Sequence, residues 1–198
     1  MTSCGATAYF CTLSDALLAL EVTDQFGTPL LLDEGAVRAV DMLANLRRNG
    51  GKAMVIGNGG SAAIATHVHN DLCKAVGVRA LSLTDLPLFS ALSNDCGYPS
   101  VYEYPMNLWA DTDDLVIAIS SSGRSENILR AVTAGARRGC HVITLSGFAA
   151  DNPLRTSGIL NFYVPSNTYG CVELAHGALA HYLTDTAAAV AAGLAASR

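Results

Sequence analysis

At 198 residues the chain is long enough to bury most of its apolar surface in one core. Apolar residues make up 51% and charged residues 15%, with mean hydropathy +0.31, a balance that points to further burial between subunits. A net charge of −5 leaves no basic footprint for nucleic acid, and no apolar run approaches the roughly 18 to 20 residues of a membrane span.

The amino-terminal stretch "MTSCGATAYFCTLSDALLAL" has no basic segment ahead of its apolar part, so no secretory signal is expected and the chain reads as cytoplasmic. Its six cysteines lack a CxxC pair or a disulfide rhythm and are expected to be small buried hydrophobes. A helical arm is predicted over roughly 12 to 25. A second helix follows, with Asp33 as its cap and Val37, Val40, Leu43 and Leu46 as its apolar face. Five short apolar runs come next: "KAMVIG", "RALSL", "DLVIAIS", "HVITLS" and "ILNFYV". They lack clean alternation, as strands buried on both faces of a parallel sheet do. Helices are expected between them over 61–75, 86–94, 100–109, 125–138 and briefly near 150–157, with a last one from 170 to about 195. Strand and helix alternating five times predict an α/β fold, a doubly wound five-stranded parallel sheet flanked by helices and preceded by the helical arm. With no repeat or linker, one domain is expected over 1–198.

In such a sheet ligands bind at the carboxyl ends of the strands. Two loops there stand out: Asn58-Gly59-Gly60-Ser61 after "VIG", and Ser120-Ser121-Ser122-Gly123-Arg124-Ser125 after "VIAI". The second opens a helix, whose free N–H groups and dipole favour an anion, and clustered hydroxyls suit phosphate oxygens. Neither loop has the lysine of GxxxxGK[ST] or the GxGxxG spacing, so a single phosphomonoester fits better than a nucleotide triphosphate. Taken alone, "SSSG" is more simply a turn and a helix cap; paired with "NGGS" at a matching strand end, it reads as a binding loop. His67 and Asp71, four apart, share one helical face about 6 Å apart, half of a zinc site by type and spacing.

The segments "GNGGSAA", "ALSNDCGY", "ISSSGRSENIL" and "VPSNTYGCVELAHGALAHYL" resemble the sugar isomerase (SIS) family, and within it the phosphoheptose isomerases, over about residues 32 to 186. Those enzymes interconvert sedoheptulose 7-phosphate and D-glycero-D-manno-heptose 7-phosphate. By position the resemblance implies a sugar-phosphate site lined by Asn58, Gly59, Gly60, Ser61, Asn94, Asp95, Ser120, Ser121, Ser122, Ser125 and Glu173. It also implies a metal set of His67, Asp71, Glu173 and His181. Three residues depart from the family pattern: Asp71 replaces Glu, Glu173 replaces Gln, and Arg124 replaces Asn, where it could clamp the phosphate or a distal hydroxyl. His69 points away from His67, and His176 occupies a position that is often His in the family without being a ligand. Glu173 and His181 are a rise of about 12 Å apart along one helix.

Aldose–ketose isomerisation moves a proton between two carbons through an enediol, so it needs a base and an acid. By position and type these are Asp71 and His181. The resemblance further implies zinc, although manganese or nickel would also suit His₂-carboxylate₂, a heptose phosphate substrate and a homotetramer in which residues 1–30 serve packing. Alternative readings are a non-catalytic SIS sugar-phosphate sensor or initiator-associating protein, or an isomerase of a six- or eight-carbon sugar phosphate.

Overall fold

The computed structural model describes residues 5–193. Among the described residues seven strands form one sheet, interleaved with seven α-helices. In chain order these are α1 (Ala6–Leu18), β1 (Glu21–Asp24), β2 (Pro29–Leu30), α2 (Leu32–Asn49), β3 (Lys52–Gly57), α3 (Gly60–Asp71) and β4 (Arg79–Leu81). They are followed by α4 (Leu86–Asp95), α5 (Glu103–Trp109), β5 (Leu115–Ser120), α6 (Glu126–Arg137), β6 (His141–Ser146), β7 (Leu160–Tyr163) and α7 (Tyr169–Ala191). A π-turn over Leu72–Val76 extends α3, and a 3₁₀ turn over Pro153–Thr156 precedes β7.

The strand order is β2-β1-β7-β6-β5-β3-β4, and the five strands from β7 to β4 are parallel, as expected. Alternate side chains of the central strands serve two separate cores, the period-two consequence of the pleat. Val55, Ile117, Ile119, Ile143 and Leu145 face α2, α3 and α7, where Leu43, Val68, Leu72, Leu179 and Leu183 meet them. Met54, Ile56, Val116, Ala118 and Val142 face α5 and α6, against Met106, Ile128 and Val132. Burial on both faces is why these runs carry apolar residues at every position.

The amino-terminal region departs from the expectation. Instead of a helix over 12–25, α1 ends at Leu18 and residues 21–24 pair antiparallel with β7, Val22 opposite Phe162. The chain then turns back through Gly27 (φ 77°), with the Asp24 carboxylate accepting N–H bonds from Phe26 and Thr28 at 2.9 and 2.8 Å. Tertiary pairing overrides helix propensity here.

On α2, Asp33 sits in the first turn beside Glu34 and makes no cap bond; both complement the helix dipole. Val40, Leu43 and Leu46 are buried, but Val37 faces outward at 59% exposure. All five described cysteines are free, and only Cys140 and Cys171 are buried; Cys11, Cys73 and Cys96 are exposed, contrary to expectation, and Cys4 lies outside the described residues. Among the described residues no helix is long and apolar enough to cross a membrane.

Candidate active site

The chain leaves β3 toward β4 on one side and returns to β5 on the other. The carboxyl ends of β3 and β5 therefore flank a topological switch point, where an open α/β sheet offers a crevice. After β3, Gly57 leaves no room for a side chain: an added Cβ would stand 2.5 Å from the Ser61 carbonyl oxygen. Gly59 turns with φ 54° and ψ −123°, and the Asn58 and Gly59 carbonyls accept the Ala62 N–H as α3 begins. After β5, Gly123 (φ 61°) lies where a Cβ would collide with the Asn152 side chain.

These two loops enclose a cleft of about 310 Å³ lined by Asn58, Gly59, Gly60, Ser61, Ser120, Ser121, Ser122, Ser125, Tyr169 and Glu173. Ser120 Oγ accepts the Gly123 N–H at 3.2 Å and lies 3.5 Å from Ser125 Oγ. Ser125 stands at the N-cap of α6, yet its side chain makes no cap bond. Ser121 Oγ is buried and has no hydrogen-bond partner. A serine whose only task was to end a helix would spend its hydroxyl on the backbone. Here one cap hydroxyl is not spent on the backbone and a buried one is orphaned, which favours a ligand over a plain turn.

The loops are tied together by Asn58 and Asn127, whose amides donate to each other at 2.9 Å in both directions, while the Tyr98 hydroxyl donates to Asn58 Oδ1 at 2.9 Å. Asn127, Tyr98, Tyr169 and Asn152 lie outside the expected set. A buried asparagine in the first turn of an amphipathic helix was the one readable signal, at Asn127. The others depend on long-range packing.

From the far wall, α7 places Glu173 over Gly60, where any Cβ would strike its carboxylate. Further along, α7 runs beside α3 and brings three expected residues together. His67 Nε2 lies 3.2 Å from Asp71 Oδ2, and His181 Nδ1 lies 3.7 Å from the same oxygen. The two rings are 4.6 Å apart, and one ligand atom from each residue falls within 4.8 Å of the others. Two imidazoles and a carboxylate are the donor set of a catalytic zinc with an open position, so the residues fit a divalent ion. Glu173, expected in both the substrate set and the metal set, lines the serine cleft two turns back along α7 and stands apart from the other three metal candidates.

The remaining expected residues are placed elsewhere. Asn94 and Asp95 end α4, exposed and bonded to each other at 2.7 Å, and do not line the cleft of this chain. Arg124 points outward to Asp151 at 2.7 Å. His176 is fully buried, with Nε2 3.1 Å from the Ser146 carbonyl and Nδ1 unpartnered. Burial pushes its pKa down to about 4, so the ring is neutral and structural at ordinary pH.

A doubly wound sheet with a serine loop at its switch point defines a class of α/β protein with a polar ligand cleft at its strand ends. The sequence model of the SIS domain matches residues 32–147, and the chain belongs to the SIS domain family. Within it, the chain is 32% identical over 192 residues to a phosphoheptose isomerase from Syntrophotalea carbinolica, covering 93% of each chain. Its fold is similar to that of the phosphoheptose isomerase from Francisella tularensis (TM-score 0.80, 27% identity, 94% of this chain and 98% of that one). It is also similar to that from Neisseria gonorrhoeae (TM-score 0.78, 28% identity, 91% and 95%).

Proposed function

We propose that the chain is an aldose–ketose isomerase that interconverts sedoheptulose 7-phosphate and D-glycero-D-manno-heptose 7-phosphate. The observation that carries the reading is the meeting of His67 and Asp71 on α3 with His181 on α7, beside a serine cleft that the amino terminus of α3 helps to form. Gly60 and His67 are seven residues apart on α3, a rise of about 10 Å. That spacing suits a substrate held by a terminal phosphate and reacting at the opposite end of its carbon chain.

In this reading the hydroxyls of Ser120, Ser121, Ser122 and Ser125 and the loop N–H groups bind the phosphoryl oxygens. Asn58, held by Asn127 and Tyr98, orients the sugar hydroxyls. Binding energy from the phosphate, remote from the reacting carbons, holds the chain in place for proton transfer. The Asp71 carboxylate takes the proton from the carbon next to the carbonyl and returns it to the neighbouring carbon. His181, 3.7 Å from that carboxylate, moves the proton between the two oxygens. His67, Asp71 and His181 would hold a zinc or similar divalent ion, which when bound supplies positive charge beside the enediolate oxygen. Glu173 faces the sugar from the cleft wall.

The test is nuclear magnetic resonance of the purified protein with sedoheptulose 7-phosphate in deuterated water, run beside six- and eight-carbon ketose phosphates. The aldose should appear from the seven-carbon substrate, with deuterium at the carbon that exchanges its proton. Binding without turnover or exchange of any substrate would sink the proposal and leave a sugar-phosphate sensor. Turnover confined to another chain length would keep the chemistry and replace the sugar.

A further inference from the structure

The serine cleft is built for an anion yet contains no cation. Of its lining side chains only Glu173 carries a charge at neutral pH, and that charge is negative. A phosphomonoester brings about −1.5 to −2 of its own. Hydroxyls and amides alone would have to offset both, and one of those hydroxyls, Ser121 Oγ, waits buried and without a partner.

Lys52, Arg130 and Arg155 are engaged away from the cleft. Lys52 begins β3, at the opposite end of the strand from the loop, and is held by Asp111 and Asp114. Arg130 is paired with Glu126 at 2.6 Å, and Arg155 is paired with Glu21 and stacked over Tyr163. Arg124 is different. It lies between Ser122 and Ser125, both lining residues, and its own N–H donates to Ser122 Oγ at 3.3 Å. Its guanidinium points outward, 2.7 Å from Asp151, with the Arg124 side chain 53% and the Asp151 side chain 82% exposed.

We propose that Arg124 is a phosphate-binding residue that exchanges partners: it rests on Asp151 in the free protein and crosses to the phosphoryl group bound in the serine cleft. The proposal rests on the reading of that cleft as a phosphate site. The energetics favour the exchange, because an exposed ion pair is weak and its carboxylate carries one charge. A phosphoryl group carries nearly twice that charge and offers two oxygens to the guanidinium fork. Asp151 then acts as a placeholder that lowers affinity by competing for the arginine.

Calorimetric titration of inorganic phosphate tests this in the wild-type protein, Arg124→Ala, Asp151→Asn, the double variant and Ser122→Ala. Arg124→Ala should weaken phosphate about tenfold, and Asp151→Asn should tighten it a few-fold. In the Arg124→Ala background, Asp151→Asn should change nothing, which separates competition for the arginine from simple removal of a nearby negative charge. Unchanged affinity in Arg124→Ala, with Ser122→Ala weakened, would overturn the exchange and leave the serine cleft standing. Weakening by Asp151→Asn would also overturn it, because the pair would then be a clasp that orders the loop. No phosphate binding by the wild-type protein would overturn the cleft reading itself, and the exchange with it.

Discussion

At the residue scale, one carboxylate oxygen stands at the centre of the metal-type cluster. Asp71 Oδ2 lies between His67 and His181, 3.2 and 3.7 Å from them. A longer side chain would push its carboxylate past both rings, so Asp71→Glu should lower turnover by roughly tenfold to a hundredfold. Steady-state kinetics will show this as a fall in kcat at near-constant KM, since the phosphate anchor is untouched. The other informative residue is His176. Its folded pKa of about 4 lies below the ordinary 6.5, so the unfolded chain takes up a proton first as pH falls. The contribution of neutral His176 is therefore complete above about pH 6.5 and is lost between 6.5 and 4. Between pH 7 and 5 the loss amounts to about 2 kcal/mol. Denaturant unfolding should show this drop in the wild-type protein and a smaller one in His176→Leu, whatever that variant's stability at pH 7.

At the scale of elements, the site depends on two glycines that look alike in sequence and differ in consequence. At Gly57 a methyl group meets the backbone oxygen of Ser61, which cannot move without unwinding the start of α3. Gly57→Ala should cost about 1 to 3 kcal/mol, read as a lower midpoint of thermal or denaturant unfolding. At Gly60 the methyl group meets only the far end of Glu173, a flexible side chain. Gly60→Ala should fold with nearly wild-type stability but displace that carboxylate from the cleft, and a crystal structure of the variant will show whether it moves. Much of this was legible beforehand. The runs "KAMVIG" and "HVITLS" match β3 and β6 residue for residue, because burial on both faces leaves an unbroken apolar signature. The paired loops and the His67–Asp71 spacing were legible because they are local. The hairpin of β1 and β2 was not, since "EVTD" takes its extended form from β7, about 140 residues away in the chain. The rise of about 12 Å between Glu173 and His181 was legible, but which of its two expected sets Glu173 joins was not, because that depends on how α7 sits against α3 and the serine loop. Asn94 and Asp95 were placed in the site by position, and only the fold shows that they stand outside this chain's cleft.

At the scale of the whole molecule, the single chain leaves large apolar side chains in water. Phe10 and Leu18 on α1, and Leu174 and Tyr182 on α7, are about half exposed or more. Patches of this kind mark association surfaces. The protein should therefore run larger than a monomer in light scattering at micromolar concentration, and a monomer there would remove the association proposed from these helices. The sheet itself is shaped so that helices rather than strands meet in such an assembly. Its outermost strands are short: β2 is two residues long and begins with Pro29, while β4 is three residues long and begins with Arg79. Proline and charge at a sheet margin deny a foreign strand its ladder of hydrogen bonds. The amino-terminal hairpin is thus a guard against fibrillar stacking, because it covers β7, whose four residues Leu160 to Tyr163 are all buried. Deleting residues 1–30 would uncover that strand, and the shortened chain should aggregate with a rise in thioflavin T fluorescence where the full chain stays clear.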